Sequence, residues 1–279
     1  MRAPWLVAAL LLLVVGGGCR TVAVKPSAPI STVATAALPV QRTADELLDR
    51  CVRHYDPHGN WPRAIFRLEL EEQRLAGVRH TTVIVNNRSG DFHCLTVVDD
   101  VPVVIFRKAG KLGARLRERE GGTRDMSAHG ASASSNDDSE AERVEFARIG
   151  LTPERLAARS RYYLQLIGLP MNLRAGAWRV AHEVTRERFA GHDVDAIELR
   201  DDSVAARERW VFLLDAETGA LRGGRFFASA DSTTSEVLSF TGETELCGMR
   251  IPTTRSWFSA PTNSALGVDT IVAVQKLGD

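Results

Sequence analysis

The sequence is poor in the features that make many functions easy to recognise. Four cysteines in 279 residues are too few for a disulfide-stapled scaffold. Thirty-five Lys and Arg balance 35 Asp and Glu, so no global field draws the chain to nucleic acid, and nucleic-acid binding is set aside. No G-x-S-x-G marks a serine hydrolase, and Gly121-Gly122 and Gly223-Gly224 lack the Lys-Ser/Thr and helix start of a phosphate loop. No repeat of roughly 20 to 50 residues is evident, which argues against a solenoid or propeller. These absences leave no catalytic residue and no cofactor assigned by motif.

The first residues carry the strongest positive signal. Arg2 is followed by an apolar run, Trp5–Val15, which reads as an export signal and falls short of the about 20 residues that span a bilayer. Gly16-Gly17-Gly18-Cys19 follows, and resembles a bacterial lipobox, with Gly16 where that pattern usually carries Leu. The resemblance implies a signal peptide over 1–18 and lipidation of Cys19, with two or more acyl chains giving stable anchoring. The same resemblance, with Arg20 rather than Asp after the cysteine, implies the outer membrane, with the domain facing the periplasm. The alternative is an ordinary secretory cut at Ala34-Thr35-Ala36. Cys51, Cys94 and Cys247 remain, an odd number in an oxidising compartment. Either Cys94 and Cys247 bridge two strands, or all three are buried thiols behaving as small apolar side chains.

Residues 19–42 are rich in Ala, Pro, Ser, Thr and Val, which reads as a flexible tether. Thr43 and Glu46 form a capping box, and Leu47, Leu48, Cys51, Val52 and Tyr55 make the apolar stripe of a helix that stops at Asp56-Pro57. From Phe66 the period becomes two, with Phe66, Leu68 and Leu70 on one face and Arg67, Glu69 and Glu71 in water. Strands are expected at Thr81–Val85, Phe92–Val98 and Val101–Phe106, with Asp99-Asp100 a solvated turn. Residues 108–142 read as a disordered insertion, because a basic run gives way to HGASASSNDDSEAE. A second helix starts at Thr152-Pro153-Glu154, and Gly168 offers it a left-handed cap before Pro170. Seven more strands are expected from Trp178–Val184 to Thr270–Val274, with a hairpin turn at Asp215–Gly219. The whole of 43–279 reads as one α+β domain dominated by antiparallel sheet.

Four strings resemble an uncharacterised bacterial envelope family: HYDPHGNW (His54–Trp61), RYYLQLIGLPMNL (Arg161–Leu173), DAETGAL (Asp215–Leu221) and TRSWF (Thr254–Phe258). The chain departs from that family in carrying Tyr55 where His commonly precedes Asp-Pro, and in the 108–142 insertion. The family is similar in layout to the lipoprotein carriers LolA and LolB. That likeness implies a large antiparallel sheet curved as an unclosed half-barrel, with two helices covering a concave face that holds acyl chains.

Three functional readings follow. Trp61, Tyr162, Tyr163, Met171, Trp178, Phe226, Phe227, Trp257 and Phe258 are candidates to line an apolar pocket, since ligand sites are mostly apolar. Arg161 and Arg255 sit beside aromatics and are candidates to pair with a carboxylate or phosphate head group, to stack, or to bond to Asp56. With His54 and Asp56 these make the ligand-pocket candidates of an envelope lipoprotein binding an acyl chain, lipid or lipoprotein. The second reading is a metal-assisted hydrolase using His54, Asp56 and His58, although H-x-D-x-H here straddles a helix end and a turn, which gives no convergence by period. The third is a structural partner of other envelope proteins. No metal site is assigned, and the oligomeric state is not legible in the sequence.

Overall fold

The computed structural model describes residues 42–117, 144, 146–174, 178–201, 208–227, 232–233 and 235–278. The expected signal segment, Cys19, nearly all of the expected tether and most of the expected insertion lie outside the described residues. No helix among the described residues is long and apolar enough to cross a membrane.

Helix α1 (Ala44–Tyr55) begins as its sequence dictates: the Thr43 hydroxyl accepts from Glu46 N while Glu46 Oε2 accepts from Thr43 N. Its buried stripe is Ala44, Leu47, Leu48, Cys51 and Tyr55. Among the described residues twelve strands follow: β1 (Ile65–Arg74), β2 (Gly77–Asn86), β3 (Asp91–Val98), β4 (Val101–Lys108), β5 (Lys111–Leu116), β6 (Trp178–Phe189) and β7 (His192–Asp201). The rest are β8 (Arg209–Asp215), β9 (Leu221–Phe227), β10 (Glu236–Leu246), β11 (Met249–Ser259) and β12 (Ala265–Lys276). Between β5 and β6 lies α2 (Pro153–Gly168), capped by the Thr152 hydroxyl, which accepts from Arg155 N, and carrying Pro153 in its first turn.

The strands form one antiparallel sheet in the order β5-β4-β3-β2-β1-β12-β11-β10-β9-β8-β7-β6. Every neighbouring pair is consecutive in the chain except β1 with β12, where the first and last strands meet and join two meanders. The outermost strands β5 and β6 do not pair with each other, so the sheet is an open half-barrel. Four connections, Asp99-Asp100, Ala109-Gly110, Ala190-Gly191 and Cys247-Gly248, are two-residue hairpins with positive φ at both positions. That is the turn geometry matching the right-handed twist of strands. Asp99 and Asp100 are exposed, as a solvated turn requires.

Two expectations need correction. Lys111–Leu116 is strand β5, so ordered sheet extends well past the expected start of the insertion at Lys108. An edge strand is charged on its open side, and this basic run masks the alternation of Leu112, Ala114 and Leu116. Nor does Gly168 adopt a left-handed cap: it is the last buried residue of α2, and Leu169 beyond it is extended with a cis bond to Pro170. Glycine is needed there for space, since a Cβ would lie 2.7 Å from Asn172 Nδ2 and 2.9 Å from Trp61 Cζ2.

Apart from a small separate cluster of Phe189, Val194, Ala196 and Leu213, the core lies on the concave face in two parts. One joins α1 and the end of α2 to Ile197, Leu199, Trp210, Phe212, Leu238 and Phe240 of the β6–β11 half. The other joins Tyr163 and Ile167 of α2 to Phe66, Leu68, Val83, Phe92, Cys94 and Ile105 of the β1–β5 half. Cys51, Cys94 and Cys247 are free, so the Cys94–Cys247 bridge is not formed; the first two are buried and burial pushes their thiols up. The buried-thiol reading therefore holds for Cys51 and Cys94, while Cys247 is partly exposed.

Candidate functional site

Helix α2 does not rest on hydrocarbon alone. Glu72 continues the phase of Phe66, Leu68 and Leu70, so the alternation of β1 carries its carboxylate into the concave face, where it is fully buried. Arg79 on β2 donates to both its oxygens at 2.9 Å, the Thr81 hydroxyl donates to Oε2, and Thr96 lies 3.0 Å from Thr81. From above, Tyr163 on α2 donates to the same carboxylate at 3.1 and 3.3 Å. Burial works to raise the Glu72 carboxyl, but the bonds and charge of Arg79, the Thr81 hydroxyl and Arg74 outweigh it and hold the pKa below the ordinary value.

A second buried carboxylate, Asp269 on β12, repeats the arrangement. Arg74 donates to it at 2.5 Å, Tyr162 at 2.7 Å and the Trp257 indole at 3.1 Å. Burial, reinforced by Asp269, pushes the Tyr162 phenol well up, so it stays protonated and donates. Beside Asp269 in the β11–β12 register stands Arg255, 1% exposed, whose Nε donates to Leu166 O near the end of α2 at 3.2 Å. That carbonyl is one of the four a helix end leaves unsatisfied, and Asn172 Nδ2 meets another, Gln165 O, together with Leu164 O one position earlier. Arg255 Nη2 has no partner among the described residues.

Next to this band is a cavity of about 30 Å³, room for roughly two water molecules. Tyr162, Gln165 and Leu166 of α2 form one wall, with Leu169 and Asn172 just beyond the helix. Trp178 of β6, Trp210 and Phe212 of β8 and Trp257 of β11 form the other. Trp210 stacks on Phe212 with ring centres 5.5 Å apart and meets Trp257 edge-on at 6.5 Å.

Of the residues expected to line a pocket, Tyr162, Trp257 and Trp178 do so. Tyr163 binds Glu72, and Met171 is buried in the core. Trp61 packs against Gly168 and tilts on Phe66. Phe226 and Phe258 are buried, and Phe227 lies under the Arg209 guanidinium at 3.8 Å. Arg161 pairs with Glu208 at 2.8 Å, away from Asp56, and Arg255 binds a backbone carbonyl.

The His54/Asp56/His58 corner is engaged in local structure. Asp56 accepts from Asn60 N and Trp61 N, both at 2.8 Å, His54 faces Glu243 at 3.4 Å, and His58 is exposed. Among the described residues no three His, Cys, Asp or Glu side chains are placed to share a metal. Sequence reasoning missed Trp210, Phe212, Glu72 and Asp269. For Glu72 a signal existed, since it falls in step with the apolar residues of β1; for the others the partners come from distant strands.

No family model matches the sequence, and no curated protein matches it. Among solved structures, the chain is similar to a DUF1329 family protein from Desulfovibrio piger, at 13% identity and TM-score 0.45 over 84% of this chain and 95% of that one. It is also similar to a LolA superfamily protein from Nitrosomonas europaea, at 12% identity and TM-score 0.50 over 85% of this chain and 94% of that one. The open twelve-stranded half-barrel, with α1 and α2 packed on its concave face, is thus the fold that the resemblance implied, similar to that of the LolA superfamily protein.

Proposed function

We propose that this chain is a bacterial envelope lipoprotein whose half-barrel binds an apolar or amphipathic molecule such as an acyl chain or lipid. The observation that carries the reading is the aromatic cavity under α2, whose walls include three tryptophans, Tyr162 and Phe212. At about 30 Å³ it takes only a small group as it stands, so a longer guest requires α2 to move off the sheet. Such movement would have to break the buried contacts of Tyr162, Tyr163 and Leu166 O with Asp269, Glu72 and Arg255, with water taking their place. Cys19 would supply the membrane anchor, through the tether, and the outer membrane would be its site.

Two experiments test the reading. Protein purified from its native host is extracted and analysed by mass spectrometry, and a fluorescent fatty acid is titrated against tryptophan emission. Co-purifying lipid and saturable quenching are expected; absence of both refutes ligand carriage. Cys19→Ser is expected to move the protein from the membrane to the soluble fraction, and retention in the membrane refutes the anchor.

A further inference from the structure

Two of the residues that line the cavity, Trp210 and Asn172, each carry a buried hydrogen-bonding atom with no partner among the described residues. Trp210 is 6% exposed, and its indole N–H, which can only donate, has no partner among the described residues. Trp257, by contrast, has Asp269. Asn172 Oδ1 is also buried without a partner. The orientation of that amide is set by its other end, because Nδ2 donates to Leu164 O and Gln165 O, which leaves Oδ1 as the spare acceptor. Both residues line the same cavity. Buried polar groups are nearly always paired in native proteins, since each unmade bond costs stability. A hydrocarbon guest would leave both atoms unpaired.

We propose that the cavity is a subsite for an uncharged group that accepts from Trp210 and donates to Asn172: a secondary amide or hydroxyl carried on an apolar molecule. This rests on the ligand-binding reading above and narrows its chemistry. Among the described residues no charged side chain lines the cavity, so an ionised carboxylate or phosphate placed there would be buried without a counter-charge from them. The aromatic walls accept the apolar atoms on either side of the polar group. A volume of about 30 Å³ suits one functional group rather than a whole acyl chain, so the subsite would fix one point of the ligand and leave the rest to lie elsewhere along the sheet.

The test uses the full chain with Cys19→Ser, which removes the lipidation site, and follows tryptophan emission. Three probes of similar length are titrated: N-methyloctanamide, which donates and accepts, N,N-dimethyloctanamide, which only accepts, and nonane, which does neither. The secondary amide is expected to bind about tenfold more tightly than the tertiary amide, the latter more tightly than nonane, from about one net hydrogen bond each. Trp210→Phe is expected to remove about tenfold of the amide advantage over nonane. Equal affinity for the three probes overturns the subsite while leaving apolar binding intact. Binding of none of them by a chain that circular dichroism reports as folded overturns both. The comparison of probes on the unsubstituted cavity stands even if Trp210→Phe does not fold.

Discussion

Replacing Glu72 by Ala tests how the two layers of this molecule are joined. The carboxylate is fully buried and accepts from Arg79, Thr81 and Tyr163, with Arg74 3.5 Å away. Its removal strands Arg79, only 20% exposed in its side chain, and leaves the buried Tyr163 hydroxyl without its acceptor. Breaking a buried pair by removing one partner costs about 3–5 kcal/mol, against at most about 1 kcal/mol for an exposed pair. At about 2–4 °C per kcal/mol for a domain of this size, the melting temperature should fall by roughly 6–20 °C. Equilibrium urea denaturation with a double-mutant cycle to Arg79→Met is the assay, and the coupling between the two sites should be about 1–3 kcal/mol. The sign of the pH dependence follows from the depressed Glu72 pKa. Its contribution is complete above its ordinary value of 4.5 and is lost as pH falls through the lower folded value, so Glu72→Ala should narrow the stability gap to the parent in acid. A loss under about 1 kcal/mol, or strict additivity with Arg79→Met, would refute the account of a buried joint.

Further outcomes are expected elsewhere. Gly168→Ala should destabilise by about 1–3 kcal/mol in thermal melts, because its Cβ meets Trp61 and Asn172 under 3 Å away; an unchanged melting temperature would mean that α2 and Trp61 separate without cost. In the Cys19→Ser chain, thiol titration should find Cys247 reactive in the native state and Cys51 and Cys94 only after denaturation, since burial raises all three thiols but only Cys247 is partly exposed. Rapid native labelling of all three would contradict the packing of α1 on the sheet. Asp56→Ala should cost about 2 kcal/mol by freeing two backbone amides. Added zinc should leave the melting temperature of the parent unchanged, whereas a rise lost in His54→Ala would revive the metal-site reading.

What the sequence determined alone is the local structure. Thr43 and Glu46 start α1, Thr152 and Pro153 start α2, and the period of two in β1 to β4 puts Phe66, Leu68, Val83 and Phe92 on one face. These outcomes need only backbone geometry and residues a few positions apart, so they are legible in a linear string. Tertiary structure decided how the pieces meet. The pairing of β1 with β12, the bond from Arg74 to Asp269 across 195 residues, and the gathering of Tyr162, Trp210 and Trp257 around one cavity all join positions far apart in the chain. The phase of Glu72 tells its face but not its partners, Asp269 looks like a surface charge until strands and α2 close over it, and Gly168 looks like a turn residue until Trp61 takes the space beside it. The reason is physical: alternation says which face a side chain takes, but the partner that satisfies a buried charge, or the wall that completes a cavity, exists only once distant segments have packed.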